Sequence, residues 1–531
     1  MSELIAETLR ALGRHAAAAL GVGALFVALW LLERRAKPGA ARVFIVAAVA
    51  LGLALACSVA WLCDDAFISF RYADNLARGH GLVFNVGERV EGYTNFGWAV
   101  LLAGIARLGG DLPLWAMFLN LASLAAALVL AHATVRRAVP EARFSFATLA
   151  LATSGAFTTY GTSGLETMPA AALVCLALWL SARGVAPWVL GLVLGAATLT
   201  RPDQLLFGVA LGVALLFDAR PRQIIGYVAA LAGVVVPWWL SRWAWYGDFY
   251  PNTYYAKSGG ASYWSQGALY SAHFLLTTGA LFTLLALALV ARCSPRRLLV
   301  FAAASTALLG LYVTRVGGDF MEHRFFVSLL PVLFVALEVG LRQPGAPSAA
   351  VALGLAGAIV GGARLKPIAD GEVRWNLAAE ESFYRVEQLT PLRIGSSFFV
   401  EAMVLARTFT ARNLAPRYGQ GCVGMVGYYT GLPITDLYGV VDREVAHLPL
   451  TKRGRPGHER LATREYLLRS GVKFTVTPYW PGEEASTEVQ LGGLKFWLLQ
   501  DAPEVVEAFR AEGARVPESP LRTTEGAPRT P

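Results

Sequence analysis

Apolar residues in this chain come in long unbroken runs, not in the alternation of a half-buried strand or the narrow stripe of a surface helix. The runs cover residues 16–32, 43–62, 114–135, 224–240, 274–290, 298–313, 325–341 and 349–360. Each approaches the ~20 residues a helix needs to cross the hydrocarbon layer. Helix is the expected form, because lipid offers no partner to a backbone amide or carbonyl. The pattern predicts an α-helical polytopic membrane protein with about 11–12 helices over residues 1–362. The chain must cross a net odd number of times between Asn95 and Arg136, yet two apolar runs lie there. The shorter, 96–105, is therefore expected to be a partial or re-entrant helix. The first run lacks a short apolar core ending in small residues, so it is expected to stay as a membrane helix and not to be a cleaved leader.

From residue 363 the pattern turns mixed and polar over a length suited to one small domain. Residues 433–437 and 472–477 read as short strands, and 459–470 has helical periodicity ended by Gly471. This predicts a soluble α/β domain over 363–514. Residues 515–531 are rich in Pro, Thr and Glu and are expected to be disordered.

Charge then orients the helices. Arg34, Arg35, Lys37 and Arg42; Arg136, Arg137 and Arg143; Arg220 and Arg222; Arg292, Arg296 and Arg297; and Arg342 all sit in short connections. Short basic loops face the cytoplasm. That puts 63–95, 160–166, 201–204, 246–266, 315–324 and the C-terminal domain on the extracytoplasmic side of a bacterial inner membrane. The composition agrees: 55% of residues are hydrophobic and 16% charged, against roughly a quarter charged in soluble domains. The net charge of +9 is spread over the loops, which argues for anionic lipid and against nucleic acid. Five Cys stand at no metal-ligand spacing, and no carboxylate cluster does either, so no metal or cofactor is expected. Cys63 and Cys422 would face an oxidising compartment, but a disulfide between them is not expected.

The expected outer loops share a chemistry. Asp64 and Asp65 open the first, just past an apolar run, where ionisable groups are costly and usually functional. A positioned carboxylate can take the proton of an acceptor hydroxyl, and a neighbouring like charge raises the pKa of one member of the pair. The alternative is that the pair marks a helix end, with Asp65 capping residues 66–77. Gly, charge and aromatics follow through Asn95, and Gly permits close approach of backbone to a ligand. Glu166 lies at a membrane edge. Arg201-Pro202-Asp203 is either a helix break with a local ion pair or a further contribution. The loop from Tyr246 carries Asp248, Asn252, Tyr254 and Lys257, whose aromatics also suit an interfacial belt. The next carries Asp319 and Arg324, and Arg is suited to phosphate by its charge and forked donors. Together the loops look like the rim of a cavity.

Several motifs resemble the GT-C class of membrane glycosyltransferases. They are Asp64-Asp65-Ala66-Phe67-Ile68, Gly79-His80-Gly81-Leu82, Gly87-Glu88-Arg89-Val90, Gly92-Tyr93-Thr94, Ser163-Gly164-Leu165-Glu166-Thr167, Pro251-Asn252-Thr253-Tyr254-Tyr255-Ala256-Lys257 and Gly317-Gly318-Asp319-Phe320-Met321. The branch they most resemble is the terminal β-(1→2)-arabinofuranosyltransferases of cell-wall arabinan synthesis, with related bacterial membrane proteins linked to flagellar motor control. Gly427-Tyr428-Tyr429, Asp436-Leu437-Tyr438-Gly439 and Pro456-Gly457-His458 resemble that branch's soluble domain. The resemblance implies a GT-C-like fold, a polyprenyl-phosphate sugar donor, a glycan or lipid acceptor and an inverting mechanism. By motif it places the base at Asp64, with Asp65 beside it, and offers Arg71, Lys257 and Arg324 for the donor phosphate. It assigns Tyr72, Glu91, Tyr93, Glu166, Arg201, Asp248, Asn252, Tyr254 and Asp319 to donor binding and His458 to the acceptor or soluble-domain side. The run at 16–32 precedes the acid pair as an extra helix, a departure from most members. Two other readings stay open: a transporter of lipid-linked glycan, disfavoured by the lack of an internal repeat and of ionisable residues deep in the runs, and a non-enzymatic assembly or motor-control factor.

Overall fold

The computed structural model describes residues 1–37, 39–257, 260–450, 453–476 and 487–517. Among the described residues five helices are long and apolar enough to cross a membrane: Ala16–Glu33, Ala40–Cys57, Leu112–Ala138, Pro221–Tyr246 and Arg296–Val316. Six shorter apolar helices accompany them: Phe96–Arg107, Thr167–Ala182, Pro187–Thr200, Pro202–Leu215, Leu329–Leu341 and Ser348–Gly362.

The run expected as one span over 274–290 is broken. Helices Trp264–Thr277 and Ala280–Val290 meet at a 78° bend. Gly279 makes the corner with φ of 71°, and a Cβ there would overlap the Gly357 carbonyl. Hydropathy does not register this break, because glycine is apolar and a tight helix crossing leaves no mark in composition.

Helix Phe96–Arg107 has 12 residues, about 18 Å at 1.5 Å per residue, short of a bilayer. Arg107 donates to the carbonyl of Ala77, in the first loop, at 3.2 Å. The far end of the helix thus stays beside the first loop, an arrangement that fits a partial or re-entrant helix, and Asp111 caps the long apolar helix Leu112–Ala138 by accepting from Leu114 N at 3.0 Å. The basic connections gather at the other end. Glu33 accepts from the amides of Arg143 and Phe144 and pairs with Arg342 at 3.1 Å, and Arg297 pairs with Asp218 at 2.8 Å.

The helix Ser2–Arg14 carries no long apolar run, and the hydropathy pattern does not predict it. It lies on the side of the polar loops, where Glu3 and Glu7 pair with Arg374 at 2.6 and 2.8 Å.

Beyond helix Ser348–Gly362 the chain builds a five-stranded mixed sheet. Its order is Ile434–Asp436, Tyr418–Gln420, Phe474–Thr475, Leu494–Leu498, Thr487–Leu491. The first three strands are parallel, and the last two join antiparallel. Rings of Phe409, Tyr418, Phe496 and Phe509 pack on Phe474 to form its core. One boundary moved. The expected helix 459–470 shortens to Arg464–Arg469, capped by Thr463, because 459–463 is drawn into ion pairs and backbone contacts with neighbouring loops, as Arg460 to the Ala256 carbonyl at 2.7 Å shows. Residues 423–429 give a short helix, Gly424–Thr430, closed by Gly431 at φ 65°. The end of the strand expected over 472–477 lies outside the described residues, as does most of the tail expected to be disordered. Arg515, at the start of that tail, pairs with Gln490 in a β-bridge.

Candidate active site

A cavity of about 770 Å³ opens where the polar loops meet the sheet domain. Asp64, Asp65, Tyr93 and Asn95 of the first loop line it, with Glu166, Arg201, Asp203, Tyr254, Lys257, Asp319 and Arg324. The sheet domain contributes Cys422, Asp436, Tyr438, Arg455 and His458. Five loops spread over some 260 residues of sequence thus meet at one site, the convergence expected of a ligand pocket.

The adjacent acids have different surroundings. Cys63 is the N-cap of helix Asp64–Ala77, and both acids sit in its first turn, where the helix dipole favours negative charge. Asp64 is 5% exposed. Its two carboxylate oxygens accept from the amides of Gly424 and Met425 at 3.0 and 2.7 Å. Those amides open the helix Gly424–Thr430, so Asp64 ties the membrane part to the sheet domain. A Cβ on Gly424 would overlap the Asp64 carbonyl, which leaves glycine as the residue that fits. Burial pushes the Asp64 carboxyl up to about 6 against the pull of the Met425 amide. Asp65 keeps 35% of its side chain exposed to the cavity, and its nearest cation, Arg324, stands 4.0 Å away. Burial raises Asp65, Lys257 and Arg324 pull it back, and Asp319 and Glu166 push it up again.

Behind Asp65 lies a paired lattice. Arg324 reaches Glu166 at 3.0 Å and Asp319 at 3.3 Å. Arg201 pairs with Asp203 at 2.7 Å and stands 3.9 Å from Glu166. Asn95 donates to Glu166 at 2.8 Å and to Ser69 at 2.9 Å. Burial opposes ionisation of both Glu166 and Asp319. Arg324 and Arg201 outweigh it at Glu166, Lys257 and Arg324 outweigh it at Asp319, and both acids stay below the usual carboxylate range. Lys257 differs from the arginines. Among the described residues no carboxylate lies within 4 Å of its Nζ, which faces the Phe320 ring at 5.9 Å. Arg455 covers the same ring at 4.5 Å while pairing with Glu380 at 2.7 Å. Burial raises Glu380 to about 8, although Arg455 opposes this.

Five residues assigned to donor binding stand off the cavity wall. Arg71 is buried and spends its guanidinium on the carbonyls of Phe84, Gly427 and Leu432 at 2.6, 2.7 and 2.8 Å and on Asn85 Oδ1 at 3.3 Å. It stitches the first loop to the sheet domain and does not line the cavity. Tyr72 donates to the Val90 carbonyl at 2.6 Å and accepts from Gly92 N at 2.8 Å, which folds the loop back on its helix. Glu91 is neutralised by buried Arg242 at 2.6 Å. Asp248 pairs with Arg443 at 2.8 Å. Asn252 donates to the carbonyls of Gly439 and Val440 at 2.7 and 2.9 Å. Arg71, Asp248 and Asn252 are taken up by the docking of the two parts and Tyr72 and Glu91 by contacts within the membrane part, because a buried polar group must find a partner.

The rest of the wall is aromatic. Tyr254 packs on Tyr250 with centroids 4.3 Å apart, and His458 meets Phe320 edge-on at 5.3 Å and Tyr438 at 4.8 Å. Burial, with Arg455 nearby, lowers His458 to about 4, so it is neutral at physiological pH. Arg455, Glu380 and Asn95 were missed in the sequence. Arg455 carried no signal there, since it lies in the soluble part and meets Glu380 and Phe320 only in the fold. Cys63 and Cys422 both line the cavity as free thiols.

No protein-family profile matches the chain. In sequence it is 27% identical to a terminal beta-(1->2)-arabinofuranosyltransferase of Mycobacterium tuberculosis, across 80% of this chain and 84% of that protein. In fold it resembles the crystal structure of ArnT from Cupriavidus metallidurans bound to undecaprenyl phosphate, with a TM-score of 0.50 at 14% identity over 75% of this chain and 86% of that one. The chain is thus similar in sequence to arabinofuranosyltransferases and in fold to ArnT. It is also 28% identical to a terminal beta-(1->2)-arabinofuranosyltransferase of Corynebacterium glutamicum, over 52% of its own length and 48% of that relative's. The resemblance carried by the acid pair and the Gly-rich loops thus agrees with overall similarity in sequence and fold.

Proposed function

We propose that the enzyme transfers one sugar, a pentofuranose such as arabinofuranose, from a polyprenyl phosphate to a cell-envelope glycan or lipid, with inversion, on the outer face of the bacterial inner membrane. One observation carries this reading: an accessible carboxylate, Asp65, and a cation, Lys257, with no carboxylate within 4 Å among the described residues, face one cavity lined by aromatic rings. Asp65 takes the proton of the acceptor hydroxyl as its oxygen attacks the anomeric carbon. The sugar–phosphate bond breaks on the opposite face, and the phosphate leaves with its charge held by Lys257 and the free edge of Arg324. Asp64, held by two amides, sets the helix turn that aims Asp65. The donor's prenyl chain lies toward Trp238, Trp239, Tyr250 and Tyr312, the apolar side of the wall. The similarity to arabinofuranosyltransferases supports the pentose. A donor phosphate is supported by Lys257 and by the undecaprenyl phosphate in ArnT.

The test is direct. Membranes holding the native chain, given radiolabelled polyprenyl-phosphate pentose and an envelope glycan, are expected to move label into the glycan. Label that crosses the bilayer without changing carrier fits a transporter, and label that stays on its lipid fits a non-enzymatic factor. Either result overturns the proposal. A second measurement addresses the phosphate. Lys257→Met is expected to lower kcat/KM for the donor by about 10- to 100-fold, the worth of one charge-assisted contact, with the acceptor KM unchanged. An unchanged donor kcat/KM would remove Lys257 from the phosphate.

A further inference from the structure

A second cluster lies off the cavity. His273, on helix Trp264–Thr277, meets Glu322 and His323, which immediately precede Arg324. One ligand atom from each of the three lies within 4.8 Å of the others. Glu322 comes 49 residues after His273, which is why spacing gave no hint of the group. We propose that His273, Glu322 and His323 form a divalent-metal site of the Zn²⁺ class, which pins the broken helix to the loop that carries Arg324. The inference concerns only this chain's metal binding and does not rest on the donor or acceptor assigned above.

Four observations point to a ligand. Two imidazoles and one carboxylate are a donor set Zn²⁺ accepts, with a position left for water. The hydrogen bonds fix the rings. Thr277 spends its one hydroxyl proton on the His273 carbonyl at 2.7 Å, so toward His323 Nε2, at 2.8 Å, it acts as acceptor. That assigns the proton of His323 to Nε2 and leaves a lone pair on Nδ1. This is how an outer hydrogen bond orients a metal-binding histidine. His273 Nε2 faces Glu322 Oε1 at 2.7 Å, while its buried Nδ1 has no partner among the described residues. Finally, His323 adopts φ of 62°, a conformation uncommon outside glycine and held where the surroundings require it.

The two rings stack at 4.9 Å with planes 6° apart. Binding an ion at bond lengths of ~2.0–2.1 Å draws the ligand atoms closer and turns His323 out of the stack. Glu322 and His323 are only half-buried, so an ion has a way in. Because Arg324 follows directly and reaches Glu166 and Asp319, an ion here would steady the polar lattice beside Asp65.

The experiment uses the full-length chain in detergent, stripped with chelator, incubated with ZnCl₂ and desalted. Elemental analysis is expected to find about one Zn²⁺ per chain, with a Zn²⁺-dependent rise in the melting midpoint. His323→Gln and Glu322→Gln are each expected to weaken Zn²⁺ binding at least about tenfold and to abolish that rise. Glu322→Gln keeps an oxygen to accept from His273, so it separates loss of the ligand from loss of the hydrogen bond. A native chain that retains no Zn²⁺, or a Glu322→Gln chain that retains as much as the native one, overturns the site and leaves a hydrogen-bonded His–Glu pair.

Discussion

Asp65→Asn is expected to abolish sugar transfer while the protein stays folded in the membrane. The loss expected is about 10²- to 10⁴-fold in kcat, the usual worth of a positioned base. Asn fits the same space, keeps the 35% exposed position facing Arg324 at 4.0 Å, and removes only the ability to take a proton. The donor KM stays near its native value, since the base acts on the acceptor. The pH profile gives an independent readout. Asp65 must be ionised to act, and burial together with Asp319 and Glu166 raises its pKa despite Lys257 and Arg324. Transfer therefore fails on acidification at a higher pH than an ordinary aspartate would give, and recovers as pH rises through that value. Asp64→Asn serves as the comparison. Its carboxylate accepts from the amides of Gly424 and Met425, so its replacement loosens the sheet domain before it affects the chemistry. Full activity in Asp65→Asn, with activity lost in a folded Asp64→Asn, would return the base to Asp64, where the family motif alone put it.

Arg71→Gln destabilises the protein by about 3 kcal/mol or more, among the largest effects expected of a single residue outside the cavity. Its guanidinium satisfies three carbonyls and Asn85 from a buried position. Truncation leaves several acceptors dry, at about 1–3 kcal/mol each. The break falls between the first loop and the sheet domain, so limited proteolysis and hydrogen exchange are expected to show the segments around Phe84, Gly427 and Leu432 opening first. Arg71→Lys fails as well, because one ammonium cannot match the fork. A variant that folds with native stability but binds donor weakly would make Arg71 a phosphate ligand after all.

These two residues mark where the sequence was informative. Asp64 and Asp65 stood out because paired carboxylates beside an apolar run are costly and rarely idle. Which of them meets the substrate depends on amides 360 and 361 residues away, and no local signal carries that. Arg71 lies one helical turn beyond Phe67 of the first motif, in a loop full of binding-like residues, and charge alone made it a phosphate candidate. The fold gave it backbone carbonyls instead. Glu91 went the same way when Arg242, just past a run that reads as plain membrane helix, came within 2.6 Å.

The sequence by itself determined the membrane character and the resemblance to glycosyltransferases, and it set the expectation of polar loops on one side and a separate C-terminal domain. Those follow from run length, loop charge and motif composition, all properties of contiguous segments. Only the tertiary structure shows the break at Gly279, the contact of helix Phe96–Arg107 with the first loop, the different surroundings of Asp64 and Asp65, the pairing of Arg455 with Glu380 at the cavity and the His273–Glu322–His323 group. Each depends on a contact between distant segments. Burial obliges polar groups to find partners, and a sequence read in order does not say which partner arrives.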